Sequence, residues 1–150
     1  VTTPPLDYET REWVEQGCRH LLITAAVPVM PYVRQTRNTR WRSDHPSGIR
    51  ARAYNESQAY LKQAIWGIML EQELKPFDPV PLGMASSFWL KHAATTDLGN
   101  LEKALEDAAN EILYPDDRWI WHRGVGFKAK GEPRFRLHLW EAVKEEVKGG

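Results

Sequence analysis

A cluster of carboxylate, amide and amine side chains lies between residues 97 and 117 of the chain. Its members are Asp97, Asn100, Lys103, Asp107, Asp116 and Asp117. Oxygen ligands of this kind, completed by water, suit Mg²⁺ or Mn²⁺, which take one or two protein carboxylates and keep several waters. Lys103 projects from nearly the same side of a predicted helix start as Asp97, where its ammonium can meet a phosphate or a leaving oxygen. The spacing therefore predicts a metal site for phosphate chemistry.

A structural interpretation of the same acids stays open at this point. Aspartate is common at helix N-caps and in turns, because its short side chain accepts hydrogen bonds from nearby backbone N–H groups. Asp97 can therefore cap the helix that follows it, and Asp116 with Asp117 can form a turn.

Positive charge is concentrated in two stretches on either side of these acids. The chain as a whole is neutral, with 20 Lys and Arg against 20 Asp and Glu, and neutrality alone argues weakly against a nucleic-acid partner. One stretch holds Arg34, Arg37, Arg40, Arg42, Arg50 and Arg52, and the other holds Arg118, Arg123, Lys128, Lys130, Arg134 and Arg136. Basic stretches around an acidic centre are typical of an enzyme that grips a polyanion around a metal. A chance distribution of charge over solvated faces is the alternative.

One of the seven tryptophans, Trp41, lies inside the first basic stretch, between Arg40 and Arg42. The other six occupy mostly core-like positions, which favours packing. For Trp41 we weigh packing against a DNA contact, in which the indole wedges or stacks against bases.

The elements that must position these residues follow from hydrophobic periodicity and chain-breaking residues. The predicted elements are a helix over residues 7–19, a strand over 21–27, a helix over 55–74, a strand over 82–91, a helix from 98 or 100 to 113, and strands over 118–127 and 134–140. The segment 32–54 has no hydrophobic period, and connections of that length are usually functional or mobile. This order predicts an α+β fold: a small mixed four-stranded sheet with two main helices packed on one face, plus a short N-terminal helix.

Length and composition limit the class of protein. A chain of 150 residues makes one ordinary domain, and a hydrophobic content of 42% is enough for a sizeable core. No apolar run approaches the ~18 residues that cross a bilayer, and the first residues do not follow a secretion-signal pattern. We therefore expect a cytoplasmic protein with no membrane partner. Cys18 is the only cysteine, which excludes an intramolecular disulfide and a thiolate-rich zinc site.

The run DLGNLEKALEDAANEILYPDDRWI, residues 97–120, closely resembles the signature of the RusA-like Holliday junction resolvases. That family reads Asp-x-Asp-Asn-Leu-x-Lys, then a helix with a later Asp-Ala, then Asp-Asp at the start of a strand. The positions in register are Asp97, Asn100, Leu101, Lys103, Asp107, Ala108 and Asp117. The Pro- and Arg-rich segment 28–37 and the run 52–54 entering a helix are similar to the upstream part of the family. The resemblance covers roughly residues 21–141.

The resemblance implies a structure-selective endodeoxyribonuclease that resolves four-way junctions by metal-dependent phosphodiester hydrolysis with paired symmetric nicks. Asp97, Asp117 and Lys103 are the implied catalytic residues. Mg²⁺ (or Mn²⁺) is the implied cofactor, with Asp97, Asp117 and Asp116 as its expected protein ligands, and no small-molecule cofactor is expected.

The same resemblance implies branched DNA as the partner and a homodimer, because two symmetric nicks need two active sites related by a two-fold axis. It implies an endonuclease domain over residues 20–150 after an N-terminal extension, residues 1–19, in a prokaryotic or phage-encoded protein. The expected nucleic-acid contacts are Arg34, Arg37, Arg40, Arg42, Arg52, Trp41, Arg134 and Arg136.

Gly99 departs from the family pattern, which has an aspartate at this position. In the family that aspartate is one of three metal-binding acids, and glycine offers no ligand. Asp116 or water is the expected substitute. The alternative function is a catalytically weakened relative that binds branched DNA without efficient cleavage. A third interpretation is a small acid–metal enzyme acting on nucleotides, in which the arginine-rich loop holds a single phosphate group.

Overall fold

The computed structural model of the chain describes residues 6–33 and 46–142. Its strands are β1 (Tyr8–Glu15), β2 (Cys18–Ala25), β3 (Leu82–Leu90), β4 (Ile120–Arg123), β5 (Lys128–Lys130) and β6 (Arg134–Glu141). Its two α-helices are α1 (Pro46–Glu71) and α2 (Leu98–Ala109), and short 3₁₀ turns at Ala93–Thr95 and Asp117–Trp119 lead into α2 and β4. The predicted α+β class with two main helices is confirmed. Neither helix in the described part of the chain is long and apolar enough to span a membrane.

The strands form one sheet in the order β1-β2-β6-β3-β4, and β5 pairs with the far end of β3. The pairs β1–β2, β2–β6 and β6–β3 are antiparallel, whereas β4 and β5 both run parallel to β3. The chain leaves β3, runs back through α2 and then enters β4, so α2 belongs to the crossover that connects these two parallel strands. The acids of residues 97–117 therefore belong to the connections around this crossover.

The buried face of the sheet carries both helices. The core includes Leu21, Ile23, Leu61, Ile65, Met84, Leu101, Leu105, Leu137 and Leu139. Burying an aliphatic side chain of this size is worth roughly 1.5–3 kcal/mol relative to exposure, so the apolar stripes of α1 and α2 are held firmly on the strands. The opposite face, which we call the open face, carries Trp13, His20, Trp89, Arg134, Arg136, His138 and Trp140. The expectation that the arginines of the last strand point away from the core is correct.

The predicted helix over residues 7–19 is wrong, since these residues form β1, the turn and the start of β2. Gln16 and Gly17 both have positive φ, 53° and 75°, and two such residues make the tight turn whose twist suits an antiparallel hairpin. Eight residue pairs then join β1 to β2, from Tyr8↔Ala25 to Glu15↔Cys18. The prediction relied on Asp7 as a cap and on nearby acids, and these local signals were overridden by strand pairing.

The predicted count of four strands is also wrong, because the sheet has six. One additional strand is β1. The other is β5, which lies beyond the strand predicted over 118–127, of which only residues 120–123 form β4. A Cβ atom at Gly126 would overlap the carbonyl oxygen of Ser86, so glycine is what allows the segment between β4 and β5 to lie directly against β3. The helix predicted from residue 55 begins earlier, at Pro46, so Arg52 lies within α1.

Candidate active site

A cleft of about 390 Å³ lies between α2 and the chain around the start of β4. It is lined by Gly99, Glu102, Lys103, Glu106, Asp107, Asp117 and Arg123. The five residues from α2 follow the spacing i, i+3, i+4, i+7 and i+8, which places them on one face of a helix. The opposite face of α2 carries Leu101, Leu105 and Ala108, which are fully buried in the core. The amphipathic pattern of this one helix therefore turns its polar side chains toward the cleft.

Asp97 is the N-cap of α2. Its Oδ1 accepts a hydrogen bond from the backbone N–H of Asn100 at 3.0 Å, as the structural interpretation of this residue predicts. A Cβ atom at Gly99 would lie 3.1 Å from the same Oδ1. Since Gly99 lines the cleft, the carboxylate of Asp97 lies at the edge of the cleft beside it. Asp97 can therefore cap α2 and still lie next to the cleft.

Asp116 and Asp117 share a hydrogen bond between their side chains, and their pKa values move in opposite directions. The N–H of Arg118 donates to Oδ1 of Asp116 at 2.9 Å, and this bond lowers the pKa of Asp116. The pKa of Asp117 is raised, first by the hydrogen bond with Asp116, then by partial burial and by the negative charges of Asp116, Glu106 and Asp107. The carboxyl group of Asp117 therefore lies where like charges accumulate.

Lys103 is held over the cleft from two sides. Its Nζ lies 3.9 Å from a carboxylate oxygen of Asp107, one turn further along α2, and 4.8 Å from the ring centroid of Tyr32. The backbone N–H of Tyr32 donates to the carbonyl oxygen of Asn100 at 2.9 Å, which fixes that ring against the start of α2. The chain segment that leads to Arg34 thus passes directly beside the predicted catalytic lysine.

Glu106 and Arg123 form an ion pair inside the cleft that the sequence analysis did not anticipate. The Arg123 guanidinium lies 2.5 Å from Glu106, and Glu106 is only 9% exposed. A buried carboxylate requires such a partner, because an isolated charge is costly to remove from water. Helical spacing from Gly99 could have placed Glu106 on the polar face, but its pairing with a residue of β4 depends on the tertiary fold.

The donor atoms of the cleft fit a hard divalent cation. The cleft offers carboxylate oxygens from Glu102, Glu106, Asp107 and Asp117, with that of Asp97 at its edge, and Mg²⁺ and Mn²⁺ prefer oxygen. In the described part of the chain, no three His, Cys, Asp or Glu side chains are spaced to hold a metal ion together. A fit to Mg²⁺ therefore means one or two carboxylates, with water or phosphate oxygen completing the coordination.

The predicted site residues that the structure describes lie in three places: at the cleft, on the open face and on α1. Lys103 and Asp117 line the cleft, Asp97 lies at its edge, and Asp116 is engaged in the turn before β4. Arg134 and Arg136 lie on the open face of the sheet, and Arg52 is exposed on α1. The remaining predicted DNA contacts lie outside the described residues: Arg34, Arg37, Arg40, Arg42 and Trp41.

Comparison with known families agrees with this arrangement. The chain matches the family model described as endodeoxyribonuclease RusA over residues 28–139, about three quarters of its length. The matched region contains both helices and every residue that lines the cleft. A search of the curated proteins finds no significant match. The cleft residues and the family match together lead to one conclusion, that this chain belongs to the RusA endodeoxyribonuclease family, as its motif between residues 97 and 120 predicted.

Proposed function

We propose that this chain is a structure-selective endodeoxyribonuclease that resolves four-way DNA junctions by metal-dependent hydrolysis, making paired symmetric nicks. Membership of the RusA family supports the class of substrate and reaction. The observation that carries the proposal is the cleft, which is lined by Lys103 from α2 and by Asp117 from the turn before β4, with Asp97 next to the lining residue Gly99. An acidic cleft with a lysine at its centre suits a metal ion and a phosphodiester together.

In the proposed reaction, Asp97 and Asp117 would hold Mg²⁺ or Mn²⁺, and water or a phosphate oxygen would complete the coordination in place of the acid missing at Gly99. A metal ion held there would supply Lewis acidity for the scissile phosphate and a more acidic water for hydrolysis. The hydrogen bond from Asn100 orients the carboxylate of Asp97. Lys103 donates to the developing charge on the phosphate or on the leaving 3′ oxygen, and its contacts with Tyr32 and Asp107 keep its ammonium over the cleft.

DNA binding in this proposal is separate from the chemistry. The arginines of the first basic stretch, together with Arg134 and Arg136, hold the junction arms through their phosphates, which positions the DNA without reading its bases. The segment 34–45 follows directly on Tyr32 and Val33, and Tyr32 contacts the lysine of the cleft. Residues from the first basic stretch are therefore well placed along the chain to bring a phosphate to Lys103.

The deciding experiment follows an end-labelled four-way junction on gels with Mg²⁺, Mn²⁺ or EDTA. We expect cleavage with either metal and none in EDTA. Asp97→Asn and Asp117→Asn should abolish cleavage and leave junction binding unchanged or tighter, because neutralising a carboxylate removes its repulsion of DNA phosphates. The matched control is Asp78→Asn, which removes the same charge from an exposed position outside the cleft and should cut normally. Loss of binding in parallel with cutting would assign the two acids a structural role instead.

The second candidate function is a junction-binding relative with weak or no cleavage, and Gly99 is the observation that favours it. Gly99 supplies no carboxylate beside Asp97, where the family pattern has an acid. In the same assay, a shifted junction that is never cut in either metal supports this binder. Neither a shift nor cleavage would favour the third interpretation, an enzyme acting on nucleotides.

A further inference from the structure

A second cluster of aromatic and basic side chains lies on the open face of the sheet, at the end of β3. The guanidinium carbon of Arg134 lies 4.2 Å from the ring centroid of Trp89, and that of Arg136 lies 5.4 Å from it. The ring of Phe127 meets Trp89 edge-on, with centroids 5.3 Å apart and an interplanar angle of 84°. We call these four residues the Trp89 platform.

The backbone around Phe127 is fixed although its ring is exposed. The carbonyl oxygen of Phe127 accepts from the N–H of Phe88 at 2.9 Å, and its own N–H donates to Ser87 Oγ at 3.3 Å. The close approach of Gly126 to β3 adds a third restraint. Phe127 is 46% exposed, and these contacts hold its backbone in place. Binding a ligand to its ring therefore costs little further conformational entropy.

The guanidinium groups of the platform form no ion pair within the described residues, although Arg134 lines a shallow pocket together with Asp7 and Glu9. None of the ion pairs in residues 6–33 and 46–142 includes Arg134 or Arg136. Glu132 is the only acid between residues 118 and 138, a stretch with six Lys and Arg. Two guanidinium groups without an ion-pair partner, beside the exposed ring of Phe127, complement a ligand that is both anionic and flat. A nucleotide has these two properties, since its phosphate pairs with arginine and its base stacks on an aromatic ring or a guanidinium plane.

We propose that the Trp89 platform binds one unpaired nucleobase of branched DNA by stacking it on Phe127, with Arg134 and Arg136 on the adjoining phosphates. This inference rests on the proposed function and specifies what part of the DNA the open face recognises. Duplex bases are covered on both sides by their neighbours, whereas a base at the branch point can be unstacked and offer a free π face.

The platform is connected to the catalytic cleft through one short contact. Lys128 follows Phe127 in the chain, and its Nζ donates to the carbonyl oxygen of Thr96 at 2.7 Å. Thr96 in turn precedes Asp97, the N-cap at the edge of the cleft. The segment that presents the stacking ring is therefore tied to the segment that presents a proposed metal ligand, so a base held on Phe127 positions the strand relative to the cleft.

The test measures binding in EDTA, where no cleavage occurs, by fluorescence anisotropy with a four-way junction, a single-stranded oligonucleotide and a blunt duplex. Phe127→Ala should bind the junction and the single strand about tenfold more weakly, within the range for loss of one base–aromatic stack, and bind the duplex as wild type does. Its log–log salt slope should not change, whereas Arg134→Gln should lower the slope by about one unit. Tyr60→Ala is the matched control, because Tyr60 is an aromatic residue with similar exposure, 54%, on α1.

A junction with 2-aminopurine at the branch point reports stacking directly. Wild type and Tyr60→Ala should quench its fluorescence on binding, and both Phe127→Ala and Trp89→Leu should quench it less. Equal affinities and equal quenching for Phe127→Ala and Tyr60→Ala, with wild type still cutting the junction, would overturn the platform and leave the proposed function intact. Failure of wild type to bind or cut the junction would reject the proposed function itself. A Phe127→Ala protein that sediments as a smaller species with unchanged DNA affinity would show that a second copy of the chain covers this face, which also overturns the inference.

Discussion

Because glycine has no side chain, Gly99 leaves the cleft with one carboxylate fewer than the family pattern has. Its φ lies outside the left-handed region and the start of α2 favours an acid through the helix dipole, so Gly99→Asp needs no change of backbone. The new side chain would begin 3.1 Å from Oδ1 of Asp97, which requires a shift of a few tenths of an ångström at that carboxylate. A carboxylate about 4 Å from a divalent ion gains on the order of 2 kcal/mol in water. We therefore expect Gly99→Asp to reach half-maximal cleavage at a Mg²⁺ concentration lower by roughly thirtyfold.

Measuring cleavage rate against Mg²⁺ concentration checks this prediction, and Gly99→Asn is its control because it adds the same bulk without charge. Junction affinity in EDTA should change little in Gly99→Asn. If wild type cuts efficiently and Gly99→Asp has the same metal dependence, the site is built differently from the family pattern, with Asp116 as the ligand that replaces the missing acid.

The hairpin of β1 and β2 depends on a turn that only glycine forms without strain. Gly17 has a φ of 75°, and a Cβ atom there would have no neighbour within 4 Å, so the cost of Gly17→Ala comes from the backbone alone. An alanine in this conformation loses roughly 1–2 kcal/mol. Gly67 in α1 also has open space around it but no positive φ, and Gly→Ala in a helix gains roughly 0.5–1 kcal/mol.

Urea denaturation of the two variants should therefore give free energies of unfolding that change in opposite directions from wild type. Gly17→Ala should be less stable and Gly67→Ala more stable. A Gly17→Ala protein as stable as wild type would mean that β1 is not paired through this turn in solution.

The central strands of the open face carry a stack of rings that makes stability depend on pH. Nδ1 of His20 and Nε2 of His138 lie 3.0 Å apart, between Trp13 and Trp140. Burial, and then the neighbouring His20, lower the pKa of His138, while Glu15 raises it by less. At pH values between the lowered pKa of His138 and the ordinary histidine pKa of about 6.5, the unfolded chain binds more protons than the folded one. Stability should therefore rise with pH through this window and be lost as the pH falls through it.

Thermal unfolding at pH 5, 6 and 7.5 measures this effect. The Tm of wild type should fall as the pH is lowered, and His138→Gln should show a smaller fall because the residue that titrates is gone. His92→Gln is the control, since His92 is exposed and lies outside the ring stack. A variant His138→Gln whose Tm follows the same pH curve as wild type would show that other groups cause the dependence.

At the scale of the whole molecule, the proposed function requires two clefts that act on one junction. A two-fold homodimer places two identical active sites on opposite strands. On a supercoiled plasmid with an extruded cruciform, wild type should therefore produce linear DNA by two nicks within one binding event. Mixed dimers of wild type and Asp117→Asn should produce nicked circles, because one of their two sites is inactive.

The control is the Asp117→Asn protein alone, which should leave the plasmid supercoiled. Sedimentation of wild type checks the oligomeric state on which this prediction depends. A monomer that produces only nicked circles would contradict the paired mechanism while still allowing a nuclease.

The residues that α2 turns toward the cleft were largely predictable from local sequence. The spacing of Lys103 and Asp107, four residues apart, follows the period of one helix, so the residues that share its polar face follow from 3.6 residues per turn. The alternation of β6 likewise determined that Arg134 and Arg136 point away from the core. These features need only the geometry of a single element, and for this reason the motif, the two helices and the family were predictable.

The tertiary structure decided everything that depends on which segments meet. Residues 7–19 carry the local signals of a helix but form β1, the turn and the start of β2, and the strand predicted over 118–127 ends early, at Arg123, before the close approach of Gly126 to β3. Trp89 had been interpreted as a packing residue, and its contacts with Arg134 and Phe127 exist only because β3, β5 and β6 are neighbours in the sheet. Helical and strand periods act over a few residues, whereas strand order and register join positions tens of residues apart, and no local pattern specifies those partners.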